Sequence, residues 1–377
     1  MTPDPNLTFG SNSRPTLGVE LELQLLDPES LALRSGVLPL IEALPGHARD
    51  WVKPELMQCY VEINTGVCQS VRDVERDLRE KLGTVRQAAE ASGNRIYWGG
   101  THPFSHWQDQ EITPDPRYDQ LVETMQDTAR RVVIFGMHIH VGVDSGDKAI
   151  MVLDRLQRHL STFLALSVNS PFWVGRRTGL MSHRIKIMEQ LPAAGLPPVL
   201  RNWSEYCWVV NQSLQTGFIN SIREIWWDVR PHPGFGTVEL RICDLPWRLE
   251  DVLGLTAMAQ CLVTALSEQV DRGLYQHDIH PITVRQNKWK ASRFGLEADL
   301  IDPVTFRTVP VRQATEELLD LLRPYARDLD CADELEHLRA MAEGPSGADL
   351  QIAAFERTQG DLRKMIREML QKNPLTA

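Results

Sequence analysis

The segment TLGVELELQLL, residues 16 to 26, alternates strictly between apolar and polar side chains over most of its length. Side chains two residues apart in an extended strand point to the same face of the sheet. The apolar residues therefore share one face, and the opposite face carries Glu20, Glu22 and Gln24. The pattern predicts a strand that packs one face on a core and presents acids on the other.

Three other segments alternate in the same way and also carry unusual polar residues. Their polar positions hold His138 and His140 in GMHIHVGVDSGD, Glu62 in YVEINT, and Glu239 with Arg241 in TVELRI. An ordinary half-exposed antiparallel strand with a solvated outer face would alternate similarly. Such faces usually mix Thr, Lys, Ser and Arg, however, and Glu is depleted in strands. The residue types indicate a polar face with a chemical role, provided that the four strands are neighbours.

Carboxylates gathered on one sheet face would repel each other unless cations lay between them. Carboxylates with one or two imidazoles suit Mg²⁺ or Mn²⁺ better than Zn²⁺, and the zinc motif H-E-x-x-H is absent. Mg²⁺ commonly acts on substrate phosphates, which points to ATP. The chain has no G-x-x-x-x-G-K-[ST] loop, and GFGT at residues 234 to 237 opens a strand rather than a helix. These features exclude a P-loop and a dinucleotide-binding loop.

The remaining patterns predict an α+β chain forming one domain over residues 1 to 377, with a flexible N-terminus over residues 1 to 14. Ser70 and Gly93 are expected to cap and stop an amphipathic helix between them. The other predicted elements are an extended region over 52 to 65, helices over 119 to 131, 147 to 168 and 251 to 273, a functional loop region over 171 to 204, a strand over 236 to 247, and a mainly helical part over 311 to 377.

The net charge of the chain indicates which classes of molecule it can bind. Net charge is −10 and the pI is near 5.6, which disfavours nucleic acid because nucleic-acid binding requires a basic face. The six cysteines include no C-x-x-C pair, so we expect reduced thiols. No run approaches the ~18 apolar residues of a membrane span. We therefore expect a soluble, cytoplasmic protein that binds neither nucleic acid nor membranes.

In order along the chain, several of these segments resemble a known family. The sequence is similar to the carboxylate–amine ligases of the glutamate–cysteine ligase type 2 (YbdK-like) group, within the superfamily of glutamine synthetase. The resemblance covers roughly residues 15 to 310. It rests on the ordered set TLGVELELQLLDP, VEINTGVC, GGTHPF, RYDQL, FGMHIHVGV, SHRIKIMEQLPAAG, FGTVELRICDLPW and ASRFGLEADLIDP.

The resemblance implies a glutamine synthetase-like catalytic fold. Such a fold has a curved, mostly antiparallel sheet with helices packed behind it, and its inner face forms a funnel that holds two or three divalent ions. The implied ligands are Glu20, Glu22, Glu62, His138 and Glu239. Glu55 matches a further acidic position, although its offset of seven residues from Glu62 requires a bulge or turn between them.

The resemblance also implies roles for several other side chains. Arg241 resembles the arginine that contacts the transferring phosphoryl group, and Arg184 the arginine that binds a substrate carboxylate. Arg117 and Tyr118 match a pair near the substrate pocket, and His140 is given a supporting or substrate-side role. Arg293 in ASRFG is a candidate contact for a nucleotide phosphate, with a structural salt bridge as the alternative.

The implied activity is an ATP-dependent ligation. ATP would phosphorylate a carboxylate, that of glutamate by the resemblance, and cysteine or another amine would attack the acyl phosphate to give a γ-glutamyl product, ADP and phosphate. The expected partners are thus small molecules, with a homo-oligomer left open. Two alternatives remain, a metal-dependent amide or γ-glutamyl hydrolase and a non-catalytic relative that binds a small molecule.

Overall fold

The structure, a computed structural model, describes residues 7–274 and 279–373. Its strands are β1 (Leu17–Leu26), β2 (Val52–Pro54), β3 (Tyr60–Asn64), β4 (Arg95–Tyr97), β5 (Met137–Gly142), β6 (Phe172–Trp173), β7 (Arg176–Arg177), β8 (Ala194–Gly195), β9 (Trp226–Trp227), β10 (Val229–His232), β11 (Thr237–Leu240), β12 (Asp299–Ile301) and β13 (Thr308–Pro310).

The helices alternate with these strands in the first part of the chain and dominate its last part. They are α1 (Val37–Ala43), α2 (Val71–Ala91), α3 (Pro116–Met125), α4 (Asp127–Arg130), α5 (Gly146–Leu156), α6 (Leu160–Ser167), α7 (Arg184–Met188), α8 (Trp203–Gln215), α9 (Leu249–Asp271), α10 (Pro281–Phe294), α11 (Val311–Asp328), α12 (Ala332–Glu343), α13 (Gly347–Arg357) and α14 (Leu362–Lys372).

A seven-stranded sheet organises the fold. Its strand order is β10-β11-β5-β1-β3-β2, with β4 paired to the end of β1. Every pairing within this sheet is antiparallel. Neighbouring strands such as β1 and β5 are far apart in sequence, so the sheet brings together segments that no local pattern could connect.

The apolar face of the sheet packs on helices, as the alternation in β1 predicts. Val19 and Leu21 are 1% and 0% exposed, and Ile139 of β5 and Val238 of β11 are also fully buried. The helices α2, α5 and α9 pack against this sheet, and they cover one face only. The opposite face, which carries the acids, is left to line cavities.

Helix α2 begins and ends where the sequence predicts. The Ser70 side chain accepts a hydrogen bond from the Asp73 N–H, and the Asp73 side chain accepts one from the Ser70 N–H, which completes a capping box. At the other end Gly93 adopts a φ of 71°, a left-handed conformation that glycine adopts without strain.

Three predicted elements are wrong in their extent. The extended region 52 to 65 is interrupted between β2 and β3, and the strand over 236 to 247 ends at Leu240. The helix over 147 to 168 is two helices, because the chain turns between α5 and α6. Every residue of α6 is buried, including Ser161, Thr162 and Ser167, so the helix has no solvated face whose position would reveal the change of direction.

The predicted helix over 119 to 131 also differs from the structure. It begins earlier, at Pro116, and it divides at Gln126 into α3 and α4. Asp115 caps α3 by accepting a hydrogen bond from the Arg117 N–H at 2.8 Å, and proline is favoured at a first helical position.

The predicted loop region 171 to 204 contains only short elements before α8. Its first residues are held in place by hydrogen bonds to a buried acid. Asp244, fully buried, accepts hydrogen bonds from the hydroxyls of Ser170 and Ser182 at 2.6 and 2.8 Å and from the Asn169 N–H at 2.9 Å. These contacts join the loop to the segment that follows β11, and they hold α7 close to the polar face of the sheet.

Helix α9 is long and apolar enough to cross a membrane, but 89% of its most apolar window is buried inside the protein. It packs against α11 and α12 of the C-terminal helical part as well as against the sheet. This burial is typical of a core helix in a large domain.

The predicted flexible segment 1 to 14 lies partly outside the described residues. In its described part, the Gly10 N–H donates to the Pro233 carbonyl at 2.9 Å. The Asn12 side chain donates to the carbonyls of Phe235 and Gly236, both at 2.8 Å. Residues 10 to 12 are therefore held against the turn that precedes β11.

Candidate functional site

The strand register places the acids and histidines of four strands on one face. Glu20 of β1 lies opposite His138 of β5, and Glu22 of β1 lies opposite Glu62 of β3. On the other side of β5, His140 lies opposite Glu239 of β11. The four strands are neighbours in the sheet. The sequence predicted a polar face with a chemical role only if this was so.

Two groups of side chains in this cluster bring ligand atoms close enough to share an ion. Glu20, His138 and Glu239 form one group, and Glu22 and Glu62 form the other together with His138; within each group the ligand atoms lie within 4.8 Å of one another. His138 belongs to both groups.

The two histidines of β5 have different surroundings, although both are buried. His138 Nδ1 lies 2.9 Å from Glu20 Oε2 and 3.5 Å from an Arg241 nitrogen. His140 Nδ1 lies 2.9 Å from the Thr237 hydroxyl, and its Nε2 lies 3.4 Å from Glu20 Oε1. His140 therefore contacts the cluster from its edge, and it belongs to neither ligand group.

The carboxylates of the cluster perturb one another. Burial raises the pKa of Glu62 well above its usual value, and the nearby carboxylates of Glu20 and Glu55 raise it further. Burial likewise raises the pKa of Glu55 to about 7, with the Glu22 carboxylate adding to the effect. A bound divalent cation would relieve this repulsion, so the donor set and its electrostatics fit Mg²⁺ or Mn²⁺.

Two other acids keep their charge because cationic or hydrogen-bonding groups surround them. Burial would raise the pKa of Glu20, but hydrogen bonds from His138 and His140 outweigh burial and hold that pKa well below its usual range. The pKa of Glu239 is also held well below its usual range, since the charges of Arg230 and Arg241 outweigh its burial.

A small cavity of about 80 Å³ opens beside the acids. Its polar lining unites most of the residues that the resemblance assigns to substrate or phosphoryl contacts. These residues are Arg117, Tyr118, Arg184 and Arg241; three of the predicted metal ligands, Glu22, Glu55 and His138, line the cavity as well. Glu55 reaches this cavity from the turn after β2, where its carboxylate lies 3.4 Å from the Tyr118 hydroxyl.

Arg184 is a buried cation at the wall of this cavity, with 2% of its surface exposed. Its guanidinium donates to the Arg241 carbonyl at 3.3 Å. It fits here because residue 136 is glycine: a Cβ on Gly136 would lie 2.1 Å from Arg184 Nη2. The Gly136 N–H also donates a hydrogen bond to Glu22 Oε2, so one backbone position supports both an acid and a cation of the site.

A larger, open cavity of about 630 Å³ lies on the other side of the cluster. Glu20 and His140 belong to its lining, so it meets the acids directly. Its lining also includes Lys53, Lys81 and Trp51, and the Lys81 ammonium lies 5.2 Å from the centre of the Trp51 ring. The two cavities thus flank the acids, one small and one large.

Comparison with known proteins identifies the family of this chain. The sequence model of the family described as "Glutamate-cysteine ligase family 2(GCS2)" matches residues 16–370. The chain belongs to this family. A protein named "Putative glutamate--cysteine ligase 2" from Gloeobacter violaceus is 42% identical over 355 residues, which are 94% of this chain and 95% of that protein. A protein of the same name from Solibacter usitatus is 38% identical over 369 residues, 97% of this chain and 96% of that one.

Solved structures show that this family 2 member shares the fold of more distant ligases. The glutamate–cysteine ligase of Francisella tularensis, solved in complex with AMP, matches with a TM-score of 0.67 at 12% identity and covers 98% of this chain and 91% of that one. A bifunctional glutathione synthetase from Pasteurella multocida matches with a TM-score of 0.69 at 13% identity, over 95% of this chain and 52% of that one. The predicted family and the predicted α+β fold are confirmed.

Three charged residues near the acids were not singled out in the sequence of this family 2 member: Lys53 and Lys81 of the large cavity, and Arg230. Arg230 on β10 lies opposite Glu239, and its Nε donates to Glu239 Oε2 at 2.7 Å. Arg241 donates to the other oxygen of the same carboxylate. The run VRPH does alternate, with Arg230 and His232 on the polar face, but it has only four residues and contains a proline, so the signal is weak.

One predicted residue lies apart from the others. Arg293, near the end of α10, is exposed, and its guanidinium lies 4.8 Å from the centre of the Phe294 ring. It lines neither of the two cavities that flank the acids. Its assignment to a nucleotide phosphate stays a prediction without support from its position.

Proposed function

We propose that this family 2 protein is an ATP-dependent carboxylate–amine ligase that joins glutamate to cysteine or another amine through an acyl phosphate. The observation that carries the proposal is a cluster of acids and one arginine, Arg241, placed between a small cavity and a large one. A ligase of this kind must hold a nucleotide and an acid on the two sides of the transferring phosphoryl group.

The acids supply the metal part of the site. Glu20, His138 and Glu239 would hold one divalent ion, Glu22 and Glu62 would hold a second together with His138, and Glu55 is the candidate for completing the set of two or three. Mg²⁺ or Mn²⁺ bound there would neutralise charge on phosphate oxygens.

The large cavity is the proposed nucleotide site. Its volume, about 630 Å³, lies in the usual range for small-molecule sites. The positively charged side chains of Lys53 and Lys81 line it, which suits phosphate groups. The aromatic ring of Trp51 lines it as well. Because Glu20 and His140 line this cavity, the phosphate end of a nucleotide bound there would lie beside the acids.

The small cavity is the proposed acid site. Arg184 is a buried guanidinium, and its Nε makes no hydrogen bond within the described residues, so it is suited to a substrate carboxylate. The reacting carboxylate would then lie near Arg241. In the first step its oxygen attacks the γ-phosphorus and ADP leaves, while Arg241 stabilises the charge on the phosphoryl group.

In the second step the amine nitrogen attacks the acyl carbon, phosphate leaves, and the amine loses a proton. Neither step requires a side-chain nucleophile. Exclusion of water from the small cavity during turnover would protect an acyl phosphate from hydrolysis before the amine reacts.

A screen for ADP release tests this proposal. The purified protein is incubated with ATP, MgCl₂ and glutamate, together with each member of a panel of amino acids and amines. Release that requires both ATP and an acid is the expected result. No release with any pair, alongside hydrolysis of γ-glutamyl amides without ATP, would instead support the hydrolase.

A further inference from the structure

Another cavity lies away from the acids, between elements that are distant in sequence. Its volume is about 590 Å³, which is in the usual range for small-molecule sites. Most of its lining comes from the second half of α2, from β4 and from α14. It shares no lining residue with either of the two cavities that flank the acids. It is therefore separate from the proposed ligase site.

Three guanidinium groups line this cavity, which we call the arginine cavity. Arg86 lies on α2, Arg95 on β4 and Arg367 on α14. Among the described residues of the lining, only Glu90 carries a carboxylate, and it lies 4.0 Å from Arg86 Nε. This excess of positive charge contrasts with the whole chain, which has 50 acidic and 40 basic residues. The arginine cavity therefore favours an anion.

Two of the three arginines are not paired with acids of the protein. On α14, the ammonium of Lys372 lies 2.6 Å from the Glu368 carboxylate. Arg95 and Arg367, in contrast, form no ion pair with any residue in the described ranges 7–274 and 279–373. Their guanidinium groups are available to a ligand, and a guanidinium binds a carboxylate or a phosphate through two parallel hydrogen bonds.

The uncharged part of the lining gives the ligand an apolar surface. Ala89, Ile96 and Leu370 line the cavity, and each is buried apart from 1 to 4% of its surface. A single phosphate or acetate ion would fill little of this volume and would not use the apolar surface. A small organic molecule with several anionic groups matches the charge, the volume and the apolar lining together.

We propose that the arginine cavity is a second binding site, which takes a small organic molecule carrying two or more carboxylate or phosphate groups. The guanidinium groups bind the anionic groups, and Ile96 and Leu370 contact the carbon skeleton. Arg95 belongs to the seven-stranded sheet and Arg367 to the C-terminal helical part, so a bound ligand connects these two parts of the protein. The site does not depend on the proposed ligase activity.

Calorimetric titration of the full-length protein tests this site. The probes are citrate, which carries three carboxylates, and fructose 1,6-bisphosphate, which carries two phosphates. Acetate and methyl phosphate are the controls with one anionic group, and all titrations contain a chelator at constant ionic strength. We expect at least one probe to bind at least about tenfold more tightly than its control, because each charge-assisted hydrogen bond adds affinity. The tighter probe distinguishes a carboxylate ligand from a phosphate ligand. Affinities equal to those of the controls would overturn the inference.

A matched pair of variants on α14 locates the binding. Arg367 and Arg363 are both exposed, but only Arg367 lines the cavity, whereas the Arg363 guanidinium lies 5.6 Å from the centre of the Phe104 ring. Arg367→Gln should raise the Kd of the tighter probe at least about fivefold, and Arg363→Gln should raise it less than about twofold. Equal effects would show that the probe responds only to net charge, which would overturn the inference.

A second comparison separates the arginine cavity from the large cavity, whose lysines attract the same anions. Lys53 lines the large cavity and Arg95 lines the arginine cavity. Arg95→Gln should raise the Kd at least about fivefold, while Lys53→Gln should leave it unchanged. Weaker binding in Lys53→Gln, with Arg95→Gln unaffected, would place the probe in the large cavity and overturn the inference. None of these outcomes depends on the release of ADP, so the two proposals fail independently.

Discussion

His138 is the side chain that the two groups of candidate ligands share. It lies between Glu20 and Arg241, on the strand at the centre of the polar face, and it is 3% exposed. His140 lies two residues on and points to the same face, but its Nδ1 is paired with the Thr237 hydroxyl. The two histidines look equivalent in sequence and are unequal in position.

We therefore expect unequal losses when each histidine is replaced. His138→Ala removes a ligand from both groups and should lower kcat/KM for ADP release and Mn²⁺ affinity by at least about a thousandfold. His140→Ala removes a neighbour of the ligands and should cost about 10- to 100-fold. Titration of Mn²⁺ by isothermal calorimetry with the same assay checks both variants, and comparable losses would show that the two roles were wrongly distinguished.

Gly136 is the second residue whose replacement tests the proposed site. Gly136→Ala places a Cβ 2.1 Å from Arg184 Nη2, so the guanidinium must move. We expect KM for the acid to rise at least about tenfold, because a displaced cation binds a carboxylate less well. Steady-state kinetics with varied glutamate measures this.

Gly83→Ala is the matched control, since no atom lies within 4 Å of the added Cβ. This position is inside α2, where alanine is favoured over glycine by up to ~1 kcal/mol, so the control should keep its KM and gain stability. An unchanged KM in folded Gly136→Ala protein would mean that Arg184 does not bind the acid.

Among the elements, α7 and α10 are joined by a buried cation. Lys288 of α10 is 2% exposed, and its Nζ lies 2.6 Å from Asp228 Oδ2 and 2.7 Å from Glu189 Oε1. Glu189 directly follows α7, which carries Arg184, and the Asp228 carbonyl accepts a hydrogen bond from the Arg241 N–H at 2.8 Å. Lys288 thus links two segments, the end of α7, which carries Arg184, and the strand segment at Asp228, which is bonded to Arg241.

Lys288→Met should lower the free energy of unfolding by about 3 to 5 kcal/mol, because the carboxylate of Asp228 would stay buried without its cation. Lys290→Met, on the same helix, removes only an exposed hydrogen bond to the Asp299 carbonyl and should cost less than about 1 kcal/mol. Urea unfolding of both variants makes the comparison. Equal costs would mean that the buried cluster contributes little.

Sequence patterns predicted the elements whose signal is local. The alternation of β1 and the capping residues of α2 are confirmed to within a residue or two. The break between α5 and α6 was missed because α6 is buried on every side and has no exposed polar face. Arg230 was missed because its strand is short. The pairing of β1 with β5 and β3 could not be predicted either, because it depends on contacts between segments that are distant in the sequence.

At the scale of the whole molecule, the acids lie side by side on one face of a sheet whose other face packs on the core. Burial and neighbouring carboxylates raise the pKa of Glu62. Above the usual pKa of a glutamate, the folded protein therefore loses stability relative to the unfolded chain until Glu62 has ionised. Without a cation, the site costs stability at neutral pH.

Glu62→Gln should relieve that cost. In the presence of a chelator we expect the free energy of unfolding at pH 7 to rise, because the neutral amide replaces a buried carboxyl group whose pKa is raised by burial and by neighbouring carboxylates. The parent protein should gain thermal stability when MgCl₂ is added, and the variant should gain much less. Thermal unfolding with chelator and with MgCl₂ measures both. A variant that MgCl₂ stabilises as strongly as the parent would exclude Glu62 as a ligand.

The fate of a carboxylate oxygen tests the central claim most directly. Glutamate labelled with ¹⁸O in its γ-carboxylate is incubated with the protein, ATP, MgCl₂ and an amine that supports ADP release. An acyl phosphate predicts that each turnover transfers one ¹⁸O from glutamate to inorganic phosphate, which mass spectrometry detects. Unlabelled phosphate, formed while ADP accumulates, would contradict the account.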